Sequence, residues 1–474
     1  MKNTTKNTHS CNQSFAGNLV TASRQLALAA SLLCGLAFST SAQEAGQYKV
    51  TAEKGFTVVP NVQTPIVLKT MPDAACDLHS ESAGASDHKL RFYANSDGYV
   101  KIHAIAKRHS EEGIHAQLDC QVGGKAVRYP LHLRASSSAT PDMPAPQTVM
   151  PTPRGSKVLP ALTEEEAQQL SEQELLDRGF PPRPDASSSP EAYAKWVDLV
   201  SQPITMVTPH LVARTDITHS RMQQADSKEQ GVQNGTSTST NWSGYVDFGS
   251  YHGYSAVYGQ WNVPRVLACE SNATTYSSFW VGLDGYGYQD LVQDGTEHDC
   301  TDVAGLFNFF SYSAWEEVLP NQMWAQQVNI SINPGDSFWA EAWVGDASHN
   351  YNPNGAYAWF NMWDTTTRQG VLVAVALGST KFNGYEAEWI MERPCLKVVG
   401  TQCTQFGELS DYLVTTMVYP EVMTSSQNWY YYNSQSNLQI LLYNGYTNGN
   451  DNNLLSNAIG GGPTLINYLW SNYH

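Results

Sequence analysis

The chain has 474 residues, too many for one ordinary domain, and 44 Asp and Glu against 27 Lys and Arg leave a formal net charge of −17. From Asn241 to His474 there are 21 acidic residues against five basic ones (Arg265, Arg368, Lys381, Arg393 and Lys397), so that portion carries about −16 of the total. A field of this sign rules against nucleic acid and anionic membrane as partners, since both are held by Lys and Arg; its self-repulsion fades near about pH 3–4, where carboxylates take up protons.

The first elements in the chain read as an export signal, residues 1–42. A polar start with Lys2, Lys6 and Arg24 precedes an apolar run from Leu26 to Phe38 and the small residues Thr40, Ser41 and Ala42. No other segment approaches the roughly 20 apolar residues of a membrane span, so we expect a secreted, extracellular protein. Loss of the signal removes Cys11 and Cys34 and leaves Cys76, Cys120, Cys269, Cys300, Cys395 and Cys403. An even number in an exported chain reads as disulfides, and pairing neighbours (76 with 120, 269 with 300, 395 with 403) is the simplest of several connectivities. No CxxC spacing and no suitably placed His point to a metal.

Residues 43–135 read as a small β-sandwich-like unit: Tyr99–Ile105 alternates after the turn residue Gly98, and Ile114–Val122 offers it a partner. Residues 136–238 read as linker and short helices. Ala135–Pro153 is rich in Ser, Thr and Pro. Thr163 with Glu166 and Ser171 with Glu174 form capping boxes, and Ser189-Pro190 starts a helix carrying Tyr193, Trp196, Val197 and Val200. Arg214–Thr240 is polar and aperiodic, which suggests a joint open to proteases.

Residues 239–474 change character, being dense in Trp, Tyr, Gly and Asn. Alternation through Trp242–Phe248, Ala256–Val263, Ser278–Leu283, Gln326–Ile332, Phe338–Val344, Gly370–Ala376 and Glu386–Met391 predicts an all-β fold of two packed antiparallel sheets. A polar tail follows from about Gln427. The segment GYEAEWIME, Gly384 to Glu392, is the densest in chemistry: on a strand Glu386, Glu388, Ile390 and Glu392 face one way and Ala387, Trp389 and Met391 the other. Carboxylates gathered on a partly apolar surface resist ionising together, which prepares one of them to take and give a proton.

The usual hydrolase signatures HExxH, GxSxG and paired Asp-Thr-Gly or Asp-Ser-Gly are missing, as is a Gly-rich phosphate loop, so no cofactor is implied. His298, among Glu297, Asp299 and Asp302, is the one candidate for a metal ligand, and neighbours on a strand rarely converge on one ion. Instead, short motifs follow in order: NWSGYV (Asn241–Val246), GQWNVP (Gly259–Pro264), WVGLDG (Trp280–Gly285), VQDG (Val292–Gly295), YSAWEEVLP (Tyr312–Pro320) and AEWIME (Ala387–Glu392). Together, over roughly Asn241 to Gly407, they resemble the glutamic peptidases, or eqolisins, secreted acid-acting endopeptidases with a two-sheet β-sandwich.

That resemblance implies a catalytic Gln at Gln293 and a catalytic Glu at Glu388. Trp280 and Asp284 match the segment lining the family's site, and Trp315 and Glu317 its acidic aromatic strand, while Glu386 and Glu392 are expected to tune the site or bind substrate. The sequence departs from the family at Val318 and Leu319, where aromatic residues are usual, in a loop between Cys395 and Cys403, and in the polar tail. Residues 43–238 then read as a propeptide whose near-balanced charge docks on the acidic enzyme at neutral pH and lets go as carboxylates protonate. The expected partners are protein or peptide substrates and the protein's own propeptide, on a monomer. The rival is a carbohydrate-active β-sandwich, a glycosidase using Glu386 and Glu388 or a sugar-binding module with Trp-lined grooves.

Overall fold

A computed structural model describes residues 48–473 apart from 81–88, 188, 224–234, 272, 304, 401, 434–436 and 446–452. The expected signal segment therefore lies outside the described residues. Residues 49–474 make a single compact unit.

Near the N-terminus a six-stranded sheet gathers Lys49–Val50, Lys54–Val58, Ala75–Ser80, Leu90–Tyr93, Ser110–Val122 and Lys125–Ala135. Cys76 and Cys120 stand directly opposite each other in it and are joined by a disulfide. Tyr99–Ala106 pairs with Thr64–Lys69. Its alternation sends Val100, Ile102, Ala104 and Ala106 into a core with Leu78, Leu118 and Leu131. That core also contains Val303, Phe307 and Phe309, because Tyr99–Ala106 continues the sheet of the later Phe307–Leu319 strand, with Ala106 opposite Phe307 and His103 opposite Phe310.

Between these regions the capping boxes of Thr163 and Ser171 start the helices Glu164–Gln169 and Glu172–Arg178, and Gly179 ends the second in the left-handed conformation. The Pro190–Val200 helix buries Trp196, Leu199 and Val200 against Trp339 and Trp363 of the C-terminal half. Ile204–Met206 then runs parallel to Gln369–Ala376, and Leu211–Ala213 antiparallel to Gln326–Val328. Both pairings satisfy strand edges that would otherwise present open backbone groups.

The C-terminal half is two sheets face to face. One follows the order Gln326–Val328, Phe307–Leu319, Leu291–Val303, Ser278–Leu283, Glu386–Glu392, Trp242–Phe248 and Leu438–Tyr443. The other runs Gln369–Ala376, Tyr357–Asp364, Ser337–Gly345, Tyr254–Asn262, Val414–Thr424 and Leu465–Trp470. Leu454–Gly460 pairs with both Leu438–Tyr443 and Leu465–Trp470 and so joins them at one border. The polar tail is thus largely strand: its Asn and Tyr residues conceal the inward Leu438, Ile440, Leu442, Leu455, Ala458, Ile466 and Tyr468. Phe279, Val281, Leu283, Val292, Ala387, Trp389 and Met391 of the first sheet pack into the core between the two. The opposite face of the first sheet carries a separate apolar cluster of Trp242, Val246, Trp280, Leu291, Trp315, Ile390, Leu438 and Ile440.

Candidate active site

Residues directly opposite one another on neighbouring strands point to the same side of a sheet, so the strand register defines the site. Glu317 lies opposite Gln293, Gln293 opposite Gly282, Gly282 opposite Glu388, and Glu388 opposite Val246. Gln293 and Glu388 thus share one row of the outward face and are separated only by a glycine. Two strand spacings of about 4.8 Å hold their backbones about 10 Å apart. A Cβ on Gly282 would come within 2.7 Å of the Trp280 ring and 3.3 Å of the Gln293 Cβ, so the space between the two side chains exists because residue 282 has none. Both are fully buried, and among the described residues neither the Gln293 amide nor the two Glu388 carboxylate oxygens has a hydrogen-bond partner. Burial, followed by the nearby carboxyls of Glu386, Asp284 and Asp290, pushes the Glu388 carboxyl well above its usual range. Unsatisfied buried polar groups are costly, and these two stand on either side of the gap at Gly282.

Glu386, Glu392, Asp284 and Glu317 are, by contrast, engaged. Glu386 accepts from the backbone N–H of Tyr286 at 3.0 Å and of Gly287 at 3.1 Å, and burial raises it to about 7. Glu392 accepts from the Trp280 indole at 2.9 Å and from Ser220 N at 3.1 Å. Asp284, at φ +66°, accepts backbone N–H groups from Gly384 (2.6 Å), Tyr385 (2.8 Å), Glu386 (3.1 Å) and Asn383 (3.3 Å). It fixes the entry to the Glu386–Glu392 strand rather than facing the Gln293 row. Glu317 accepts from Thr218 Oγ1 at 2.5 Å and His219 N at 2.7 Å, and burial raises it to about 8.

Those donors belong to a segment that the sequence presents as a polar joint. Arg214–Gln223 is instead packed over the site, its polarity turned inward toward carboxylates. Arg214 donates to Asp299 and Asp216, each at 2.9 Å. Ile217 enters the cluster of Trp242, Trp280 and Trp315. His219 is fully buried, stacks on Trp315 with ring centroids 3.6 Å apart, and lies 3.5 Å from both Glu297 and Glu392. Thr218 exchanges both main-chain hydrogen bonds with Cys395, and Met222 N donates to Gly285 O at 3.1 Å. The Ser278–Leu283 and Glu386–Glu392 strands run antiparallel, so the extensions that end in Gly285 and Cys395 lie on opposite sides of the Gln293–Gly282–Glu388 row. A chain bonded to both must cross that row. Only Arg214, Asp216, His219 and Arg221 in an otherwise uncharged stretch signalled this in the sequence, and Gly282 stood unremarked inside a motif.

His298 does not join Glu297 and Asp299. Strand alternation turns it to the other face, where its Nε2 lies 2.9 Å from Thr296 Oγ1 and burial lowers it to about 3. Among the described residues, the group able to bring three ligand atoms within 4.8 Å of one another is Glu53, His115 and His132, on the N-terminal sheet. The disulfides join Cys76 to Cys120, Cys269 to Cys300 and Cys395 to Cys403.

Residues 240–447 match the model of the Peptidase A4 family. Among solved structures, the chain is similar to Scytalido-glutamic peptidase with a peptide based transition state analog, at 19% identity and a TM-score of 0.36 over 49% of this chain and 98% of that one. It is also similar to SCP-B, a member of the Eqolisin family of peptidases in a complex with the tripeptide Ala-Ile-His, at 20% identity and a TM-score of 0.36 over the same shares. No curated protein matches it.

Proposed function

We propose that this chain, which belongs through residues 240–447 to the Peptidase A4 family of glutamic peptidases and is a peptide-bond hydrolase, is a secreted, acid-acting endopeptidase that uses Gln293 and Glu388 as its catalytic pair and is made as a zymogen. The observation carrying this reading is the row Gln293–Gly282–Glu388, with every polar side-chain atom of the pair buried and unpartnered. The desolvation that raises Glu388 belongs to the covered state; with the segment over the row released and water admitted, a water between the pair would give its proton to the Glu388 carboxylate as its oxygen bonds to the substrate carbonyl carbon. The Gln293 amide, uncharged throughout the acid range, would orient that water and donate to the oxyanion. Breakage of the C–N bond would then take the same proton from Glu388 to the leaving nitrogen. The competing glycosidase pairing of Glu388 with Glu386 is disfavoured, because Tyr286 and Gly287 already hold the Glu386 carboxyl.

Latency is supported by the Arg214–Gln223 segment lying across the row. Burial pushes Asp216 up, but Arg214 and the Tyr93 hydroxyl more than offset this and leave its carboxyl below the ordinary value. A depressed carboxyl contributes anchoring that is complete above its ordinary pKa and is lost as the pH falls through the lowered one. Acid therefore weakens the anchor that Asp216 provides. The test is digestion of denatured casein at acid pH with a pepstatin control: Glu388→Gln and Gln293→Ala should each abolish cleavage in a folded protein. Substantial residual proteolysis by either would refute the assignment.

A further inference from the structure

We propose that Glu53, His115 and His132 form a binding site for one divalent transition-metal ion such as Zn²⁺, which clips the first strands of the N-terminal sheet together. The strand register makes the site. His115 of the Ser110–Val122 strand stands directly opposite His132 of the Lys125–Ala135 strand, so both imidazoles leave the same face of the sheet. Leu131 and Leu133, on either side of His132, enter the core, which turns the histidine face outward. The Lys54–Val58 strand runs parallel along the other edge of Lys125–Ala135, with Gly55 opposite His132, and Glu53 lies just ahead of it. Residues far apart in the sequence therefore arrive in one place, without the close spacings that a metal motif shows.

One ligand atom from each of the three side chains lies within 4.8 Å of the other two. Glu53 Oε1 is 2.9 Å from His115 Nδ1, and the His115 and His132 rings stack with centroids 4.2 Å apart. Zinc bonds of about 2.0–2.2 Å put neighbouring ligand atoms of a tetrahedron about 3.3 Å apart, so the Glu53–His115 edge is already near that length and the widest gap has about 1.5 Å to close. Glu53 and His115 are exposed and His132 partly so, which gives their rotamers that freedom and the ion a way in. His132 Nε2 lies 2.9 Å from the carbonyl oxygen of Glu112. A carbonyl only accepts, so Nε2 carries the hydrogen and, in the neutral ring, Nδ1 is left with the lone pair that a metal needs. An imidazole held through its other nitrogen by a backbone carbonyl is the common support of a metal ligand. Two imidazoles with one carboxylate suit Zn²⁺ and not Mg²⁺ or Ca²⁺, which take oxygen ligands, and water would complete the fourth position. The ion would tie Glu53, at the entry to one strand, to the two strands beyond it, and none of the three residues belongs to the Gln293–Gly282–Glu388 row.

The full chain, carrying no histidine tag and stripped with a chelator, should be titrated with ZnCl₂ at neutral pH by calorimetry. The parent is expected to bind one ion at this site, and His115→Ala, His132→Ala and Glu53→Gln should each weaken binding by about tenfold or more. Zn²⁺ should raise the melting temperature of the parent more than that of any of the three variants, and Mg²⁺ should leave it unchanged. All three side chains reach solvent, so each variant should fold; if one does not, the other two decide. Absence of Zn²⁺ binding by the parent, or parent-like affinity in any folded variant of the three, would overturn the proposal.

Discussion

Arg214 and Asp299 meet at 2.9 Å inside the protein, one from the segment ahead of the sandwich and the other from the face of its sheet, with scarcely any of either side chain in solvent. Removing one partner of such a pair leaves the other charge uncompensated, at a cost of about 3–5 kcal/mol. Arg214→Gln should therefore lower the melting temperature of the full chain and loosen its own covering segment. At a fixed acid pH the variant should be processed faster than the parent, read as loss of intact mass with time. Unchanged processing would mean that Arg214 is not the anchor.

Stability should fall as the pH rises. Burial holds Glu316, Glu317 and Glu341 at about 8 and Asp364 at about 7. For a carboxyl raised on folding, the native state binds the proton more tightly, so the stabilisation is complete below the ordinary value of about 4 and disappears as the pH rises through the folded one. Melting temperatures measured from pH 4 to 9 should decline most steeply between about pH 5 and 8. A maximum near neutrality would contradict the assignment of these groups as buried acids.

Gly282→Ala tests the gap between the proposed catalytic residues Gln293 and Glu388 without replacing either. The new methyl would collide with the Trp280 ring at 2.7 Å and crowd Gln293. Overpacking of this kind costs about 1–3 kcal/mol. The variant should fold with a lowered melting temperature and lose about tenfold or more of kcat, a shift of at least about 1.4 kcal/mol in the barrier. Full turnover in Gly282→Ala would show that the space at residue 282 is dispensable.

Asp284→Asn keeps the shape but replaces one acceptor oxygen by a donor, opposite four backbone N–H groups. Each N–H left unsatisfied costs about 1–3 kcal/mol. The expected result is a clear drop in melting temperature with activity falling in parallel, because the strand bearing Glu388 loses its fixed entry. Loss of activity at an unchanged melting temperature would instead assign Asp284 to the chemistry.

Local pattern was enough wherever a strand has one apolar face. Trp242–Phe248 and Ser278–Leu283 appear at the bounds that alternation predicts, and the sides assigned to Glu386–Glu392 are those its neighbours occupy. The same reading failed at Leu291–Val303 and Phe307–Leu319, two thirteen-residue strands at the centre of the site. Both faces of Leu291–Val303 are buried and both carry polar residues, Asp294 and His298 inward and Gln293, Glu297 and Asp299 toward the cleft, so no period-two signal survives. The covering segment was illegible for a related reason. Arg214, Thr218 and His219 look like solvent-facing residues until the carboxylates that receive them, about 80 to 175 positions away, are brought alongside.

The pairing of Ile204–Met206 with one sheet and Leu211–Ala213 with the other separates two events that are usually treated as one. A cut after Gln223 severs the covalent link but leaves those strands seated on both edges, and leaves Phe307 and Phe309 embedded in the N-terminal core. The nicked molecule would travel as one particle and resolve into two fragments only under denaturing conditions. Its lifetime as a silent complex would be set by how fast the two pieces unzip, not by how fast the bond is cut.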